Sequence, residues 1–462
     1  MGGRTGNGTG GERGVPQIVR ALEFALSALS ASSATAEELA EVRALLEGMR
    51  AAPALATAPD PGPPPLATRE PSLPRIATYS LGMHGFGHIR RNATIAHALR
   101  ASAMQPVILM IAEAWQAGAI PLPAGVDCVT LPGLRKDPDG ALNARSLDVS
   151  DQEVLALRGK VIRKALKTFD PDVLLVDYLP LGAGDELRRT LQRIRKYGRT
   201  RCVLGLREVL QDPETVRRTW TADGTVAAMR DYYDAIWIYG DPAVFDPVHE
   251  YGVFADVAHK VRYTGYLDQR PRLDAAGPRA AQMLANVPPP PTKLALCVVG
   301  GGLDGHALAE AFVTAELPPG MTGLIVTGPY MPPEQRTRLL EHAQRHPRCD
   351  VLEFIPDPTP LIDRADRIIA MGGYNTVCEV LSFEKHALIV PRVQPEPEQW
   401  IRAERLRDLG LVDVLHPDDL SSRALSEWLS RDLGPQPASR SRVDVSGLTR
   451  IPVLLAEVLG IS

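Results

Sequence analysis

The sequence predicts an α/β protein of two doubly wound domains facing a cleft. Three observations carry that prediction. From Arg75 onward short β-rich runs alternate with helical stretches, the rhythm of a parallel sheet covered on both faces. The rhythm breaks at "DQRPRLDAAGPRAAQMLANVPPPPT", which ends in four prolines, and a second series then begins. At 462 residues the chain is also too long for one ordinary core.

The first series predicts strands at 75–80, 106–111, 126–131, 172–177, 201–204, 235–239 and 260–264. The second predicts 293–299, 323–326, 351–354, 367–371, 387–390 and 411–414. These set a first domain at 75–266, an interdomain linker at 267–291 and a second domain at 292–435. Within 436–462 a final helix at 446–459 has the length to cross back to the first domain.

Ahead of the first strand, the Gly-rich residues 1–14 are expected to be disordered, and residues up to 52 include a helical hairpin. Ile18, Val19, Leu22, Leu26 and Leu29 share one helical face; Leu39, Val42, Leu45, Leu46 and Met49 share another. Thr35 and Glu38 are spaced as a capping box. The hairpin serves either homodimerisation or packing onto its own main body. Residues 53–74 form a Pro-rich linker.

Composition is that of a globular protein, 45% hydrophobic and 23% charged, and a net charge of −4 gives no global pull toward nucleic acid. The five cysteines are scattered and lack a C-x-x-C pair, which argues against a disulfide framework or zinc site. No apolar h-region opens the sequence, and no run approaches the roughly 20 apolar residues that span a bilayer. The expected location is cytoplasmic. Two basic stretches, 158–167 and 187–201, are either solvated helix faces or a contact to the inner face of an anionic membrane.

Chemistry concentrates at strand ends. In "RIIAMGGYNTVCEVLSFEKHALIVP" a strand ends at Met371, Gly372 and Gly373 turn, and a helix opens around Asn375–Thr376. Such a junction lets a phosphate approach backbone N–H groups at the positive end of a helix dipole. Glu379, one turn in, is placed to take a sugar's paired hydroxyls; Thr376 and Glu379 equally fit a T-x-x-E capping box. Gly300, Gly301 and Gly302 follow another strand. Phe354 and Ile355 lie where backbone groups could read a base edge, and Glu396, Glu398 and Gln399 adjoin the next helix.

These motifs make the C-terminal half resemble the donor-binding half of GT-B glycosyltransferases, above all family 28, whose member in peptidoglycan synthesis transfers N-acetylglucosamine to a lipid intermediate. The resemblance covers most of residues 75–435 and implies two Rossmann-like domains. It implies that Gly372, Gly373, Tyr374, Asn375 and Thr376 hold the diphosphate; Gly301, in the other glycine turn, is a further donor-side candidate read from its place after a strand. The resemblance places Glu379 on the ribose and Phe354 or Ile355 on the base. The family's Gln pair aligns with Glu398 and Gln399, so the first of the pair is altered and the donor sugar is left open. The hairpin and proline linker have no counterpart in the resemblance.

The loop "GMHGFGH" after the first strand lacks G-x-x-x-x-G-K-[ST], and Gly82, Gly85 and Gly87 are in the wrong order for G-x-G-x-x-G. It resembles the family's Gly-rich loop ending in His. His88, at a helix start whose dipole keeps it neutral, is the candidate base; His84 is the other candidate. Asp177, at the end of "DVLLVD", is the candidate partner of His88, as in the His–Asp pairs of several inverting GT-B enzymes, or else a turn or cap. Gly85, Gly87 and the strand-end Arg207 complete the acceptor side, with a surface ion pair the alternative for Arg207.

The resemblance thus implies a hexosyl- or N-acetylhexosaminyltransferase that moves a sugar from a nucleotide-sugar, UDP-linked by family similarity, to an unknown acceptor hydroxyl with inversion. No cofactor is expected, the nucleotide-sugar being a co-substrate. Neither half offers a D-x-D pair suited to bridging a diphosphate through a metal. The rivals are a UDP-N-acetylglucosamine 2-epimerase-like enzyme and a non-catalytic sugar-nucleotide-binding protein.

Overall fold

The computed structural model describes residues 73–461 except 83–86, 114–120, 137–140, 277–279, 281–282, 286 and 356. The helical hairpin and nearly all of the proline linker, and with them the dimerisation expectation, lie outside the described residues. Ser72–Ser462 is one compact unit.

The first series folds into β1 (Arg75–Ser80), β2 (Val107–Glu113), β3 (Val126–Leu131), β4 (Leu134–Lys136), β5 (Leu142–Ala144), β6 (Val173–Asp177), β7 (Arg201–Arg207), β8 (Ala235–Tyr239) and β9 (Val261–Tyr263). Seven of these form a parallel sheet in the order β3-β2-β1-β6-β7-β8-β9. The central strand β6 is buried throughout, because helices cover both faces and its run of Val and Leu suits either side.

The second sheet comprises β10 (Lys293–Val298), β11 (Met321–Val326), β12 (Cys349–Leu352), β13 (Arg367–Ala370), β14 (His386–Ile389) and β15 (Asp413–Val414). Its order is β12-β11-β10-β13-β14-β15, again parallel. Every predicted strand therefore has an observed counterpart, with ends displaced by a few residues. β7 runs on to Arg207 because Gly205 and Leu206 are as buried as the strand before them. The antiparallel hairpin β4–β5 escaped prediction, its three-residue strands being too short to show a period.

Four helices matter for the site: α1 (Gly87–Ala101), α2 (Tyr374–Ser382), α3 (Glu398–Asp408) and α4 (Gly447–Leu459). The last is the predicted final helix, and it packs against α1 in the first domain. One apolar core runs from Ile76 and Ile89 through Ile451 and Leu455 to Leu296 and Ile368, so both sheets share it. Arg402 on α3 ties the halves further, donating Nε–H to Glu208 Oε1 at 2.7 Å with both side chains fully buried.

Candidate active site

Each sheet has a point where strand order reverses, and ligands of doubly wound sheets gather at the carboxyl ends there. In the first sheet that point lies between β1 and β6. The chain leaving β1 enters α1, and β6 ends at Asp177, so the topology delivers His88 and Asp177 to one place. His88 Nδ1 lies 3.0 Å from Asp177 Oδ2. His84 and Gly85 lie outside the described residues.

Two residues unflagged by the sequence complete this cluster. Arg91 Nη2 donates to Asp177 Oδ1 at 2.7 Å and to Oδ2 at 2.8 Å, and it also lies 2.9 Å from His88 Nδ1. Asn92 Nδ2 donates to Asp177 Oδ2 at 2.9 Å. Burial opposes ionisation of Asp177, but the Arg91 charge and then His88 outweigh it and hold its carboxyl at about 2. Burial also pushes the His88 pKa below its ordinary value; Asp177 opposes that shift, while Arg91 and Arg207 add to it. The imidazole is therefore neutral at pH 7. Its two tautomers differ in use: Nδ1–H donating to Asp177 leaves a lone pair on Nε2, whereas Arg91 donating to Nδ1 does not.

Tyr178 follows Asp177 with φ of 80°, a left-handed conformation that costs a non-glycine residue about 1–3 kcal/mol. The turn brings its ring to 5.7 Å from that of His88 and 5.3 Å from the Arg207 guanidinium.

In the second sheet the reversal lies between β10 and β13, and the glycine turns follow those two strands. Gly372 has φ of 76°, and a Cβ there would come within 2.6 Å of Ile389 Cγ2, so the position requires glycine. Gly302, at φ of 91°, would set a Cβ 2.2 Å from the Thr327 carbonyl oxygen. Helix α2 begins at Tyr374 with Gly373 as N-cap and no side-chain cap. The alternative capping-box role for Thr376 and Glu379 is thereby corrected: Thr376 is the third helical residue, so it cannot be the cap. The Tyr374 ring turns inward and packs on Tyr266.

Glu379, one turn along α2, is 1% exposed, and its Oε1 accepts from Arg90 Nη2 of α1 at 2.6 Å. Burial lifts its carboxyl above the ordinary range, although Arg90 and Arg272 pull the other way. Glu398, first residue of α3, pairs with Arg207 at 2.6 Å, so the candidate surface pair of Arg207 is instead a contact across the cleft. Burial disfavours the Glu398 charge, but Arg207, Arg402 and Arg392 prevail and lower its pKa. Gln399 Oε1 accepts from the Arg392 backbone N–H at 2.9 Å.

These groups open on one cavity of about 480 Å³, within the range of small-molecule sites. From the first domain Gly87, His88, Tyr178 and Arg207 line it. From the second come Gly301, Phe354, Ile355, Gly373, Tyr374, Asn375 and Thr376, followed by Glu379, Glu398 and Gln399. Asp177 and Gly372 stand behind the lining and support it. Arg90, Arg91, Asn92, Tyr178 and Arg392 were missed. The only signal for the arginines was the "HIRRN" run, whose spacing does not say which charge turns inward.

Elsewhere, the basic stretch 158–167 is not wholly a solvated face, since Arg158 is fully buried between Glu113 and Glu186. Arg189, Arg193, Arg195 and Lys196 are exposed. Asp170 and Asp172, which have D-x-D spacing, precede β6 at the opposite edge of the sheet from the cavity, Asp172 accepting from the Arg75 backbone N–H. Residues 137–139 share that spacing and lie outside the described residues. Among the described residues no cluster of His, Cys, Asp and Glu could hold a metal, and no helix is long and apolar enough to cross a membrane.

Comparison with known proteins agrees with this fold. Residues 295–445 match the glycosyltransferase family 28 C-terminal domain. A UDP-N-acetylglucosamine–N-acetylmuramyl-(pentapeptide) pyrophosphoryl-undecaprenol N-acetylglucosamine transferase from Sulfurihydrogenibium sp. is 32% identical over 88 residues, 18% of this chain and 25% of that protein. The chain spans about a quarter to a half of the length of such curated relatives. Acinetobacter baumannii MurG superposes with a TM-score of 0.51 at 15% identity, covering 83% of this chain and 99% of that one. The UDP-GlcNAc 2-epimerase of Neisseria meningitidis gives a TM-score of 0.55 at 13% identity, covering 84% and 100%. The fold is GT-B. In the sequence of its second domain the chain is similar to glycosyltransferase family 28.

Proposed function

We propose that the protein transfers a sugar from a UDP-sugar to an acceptor hydroxyl with inversion and without a metal. The observation that carries this reading is that a His–Asp pair and a glycine-capped helix N-terminus, from different domains, open on one cavity. His88, with Nδ1–H donated to Asp177, takes the acceptor proton on Nε2. The acceptor oxygen attacks the anomeric carbon, whose bond to the diphosphate breaks, and the leaving group departs with the electron pair. Uncapped N–H groups at Gly373 to Thr376 and the α2 dipole stabilise the charge growing on the diphosphate.

The relatives support the donor class, since the name of the Sulfurihydrogenibium enzyme specifies UDP-N-acetylglucosamine. Arg207 and Glu398 bracket the region proposed for the sugar. The exposed arginines at 187–201 are proposed as the part of the surface that meets a membrane carrying the acceptor, on the cytoplasmic side.

The shared fold of the 2-epimerase supports a second reading, because the same cleft can bind a UDP-sugar and rearrange it. Incubating the protein with UDP-N-acetylglucosamine and following it by NMR separates the two. Acceptor-dependent UDP release, abolished in His88→Ala, supports transfer; a C2-epimerised sugar nucleotide without acceptor contradicts it.

A further inference from the structure

Two polar atoms in the ion pair between α1 and α2 are buried without a hydrogen-bond partner: Glu379 Oε2 and Arg90 Nε. The pair uses Oε1 and Nη2 on each other, leaving one acceptor and one donor unspent. Both side chains line the cavity, and Glu379 is 1% exposed. Leaving such atoms unpaired is costly, so their place in a ligand cavity points to a ligand group that completes them. A hydroxyl can satisfy both, donating to the carboxylate oxygen and accepting from the guanidinium N–H.

We propose that Arg90, reaching across from the first domain, is a specificity-determining residue that takes one ribose hydroxyl of the bound nucleotide together with Glu379, which the family resemblance already places on the ribose. This rests on the nucleotide-sugar reading above. Arg90 stands two residues from His88 on α1, and Asn375 Nδ2 of α2 donates to the Gly87 carbonyl at 3.0 Å. Seating of the ribose is thereby felt by the turn of helix that carries the base.

The charges facing Glu379 are Arg90 on α1, Arg272 in the interdomain linker and Asp357 beyond β12. Arg272 lies 2.8 Å from Asp357, whereas Arg90 makes the direct contact to Glu379. Without Arg90 the buried Glu379 holds its proton to higher pH, and a protonated carboxyl no longer offers the same acceptor.

Calorimetric titration of the full chain with UDP, GDP and their 2′-deoxy and 3′-deoxy counterparts tests the proposal. Wild type should bind at least one ribonucleotide and lose about ten- to a hundredfold in affinity for one of its deoxy forms, as expected for a hydrogen bond to a charged group. Arg90→Met should shrink that ratio below about threefold, with affinity recovering as pH is raised; Arg90→Gln, a milder change, should shrink it too. Arginine variants that keep the wild-type ratio overturn the proposal. Equal wild-type affinity for ribo and deoxy forms overturns it while sparing the nucleotide site. A wild type that binds no nucleotide overturns the donor reading, and this inference with it.

Discussion

The two strand-reversal points do the same topological job with different materials. In the first sheet the site is made of side chains: His88, Asp177, Arg91 and Asn92 form a buried polar cluster at the end of β6. In the second it is made largely of backbone, with Gly372 in a left-handed turn and α2 starting without a side-chain cap. The difference implies different sensitivities. Removing a side chain, or changing pH, acts on the first site; at the glycine turns of the second, the sensitive change is adding a side chain where glycine is needed.

The largest effect should come from His88→Ala. Loss of a general base costs about 10²- to 10⁴-fold in kcat, and nucleotide affinity by titration should stay near wild type. A variant that instead loses nucleotide binding would break the division of labour between the two sites.

Gly372→Ala should do the reverse. Its Cβ meets Ile389, and a left-handed alanine adds about 1–2 kcal/mol of strain. Nucleotide affinity should fall about tenfold, and melting temperature should drop by a few degrees, as expected for that strain.

Arg91→Met sharpens the comparison through pH. Arg91 lowers the His88 pKa and shares the Asp177 charge, so its removal leaves a better-stabilised imidazolium. In its proposed role as base His88 works only when neutral, and the acidic limb of kcat/KM should therefore move to higher pH. In wild type Asp177 also contributes stability that is present above its unfolded pKa and is lost as pH falls through about 2. Acid melting curves of Asp177→Asn should lack that dependence.

The smallest effect is expected for Glu398→Gln, which removes the partner of Arg207 yet keeps an amide in place. Discrimination among donor sugars should change by a few-fold, as for one altered hydrogen bond, with little change in UDP affinity.

How much of this was legible in the sequence follows the same divide. Glycines before helices and alternating strand runs are local signals, so the turns at Gly300–Gly302 and Gly372–Gly373 could be read directly. The two-sheet fold followed from their order. The His88–Asp177 contact joins residues 89 apart, and only the strand-end position of Asp177 together with a family resemblance points to it. Pairing of Arg90 with Glu379, across 289 residues, left no local trace at all. Charges that meet across a cleft are set by how domains dock, and the run "HIRRN" reads identically whether its arginines face solvent or a carboxylate.

The central claim is that the second domain binds a nucleotide-sugar at the glycine turns and Glu379. Thermal melting of wild type and Glu379→Ala with UDP, GDP, dTDP and their common sugars tests it most directly. Ligand at 100 times its dissociation constant should stabilise wild type by about 2.7 kcal/mol. A UDP compound that raises the wild-type midpoint but not that of Glu379→Ala is the predicted result. No shift of wild type with any nucleotide would contradict the account and leave the glycine turns as architecture alone.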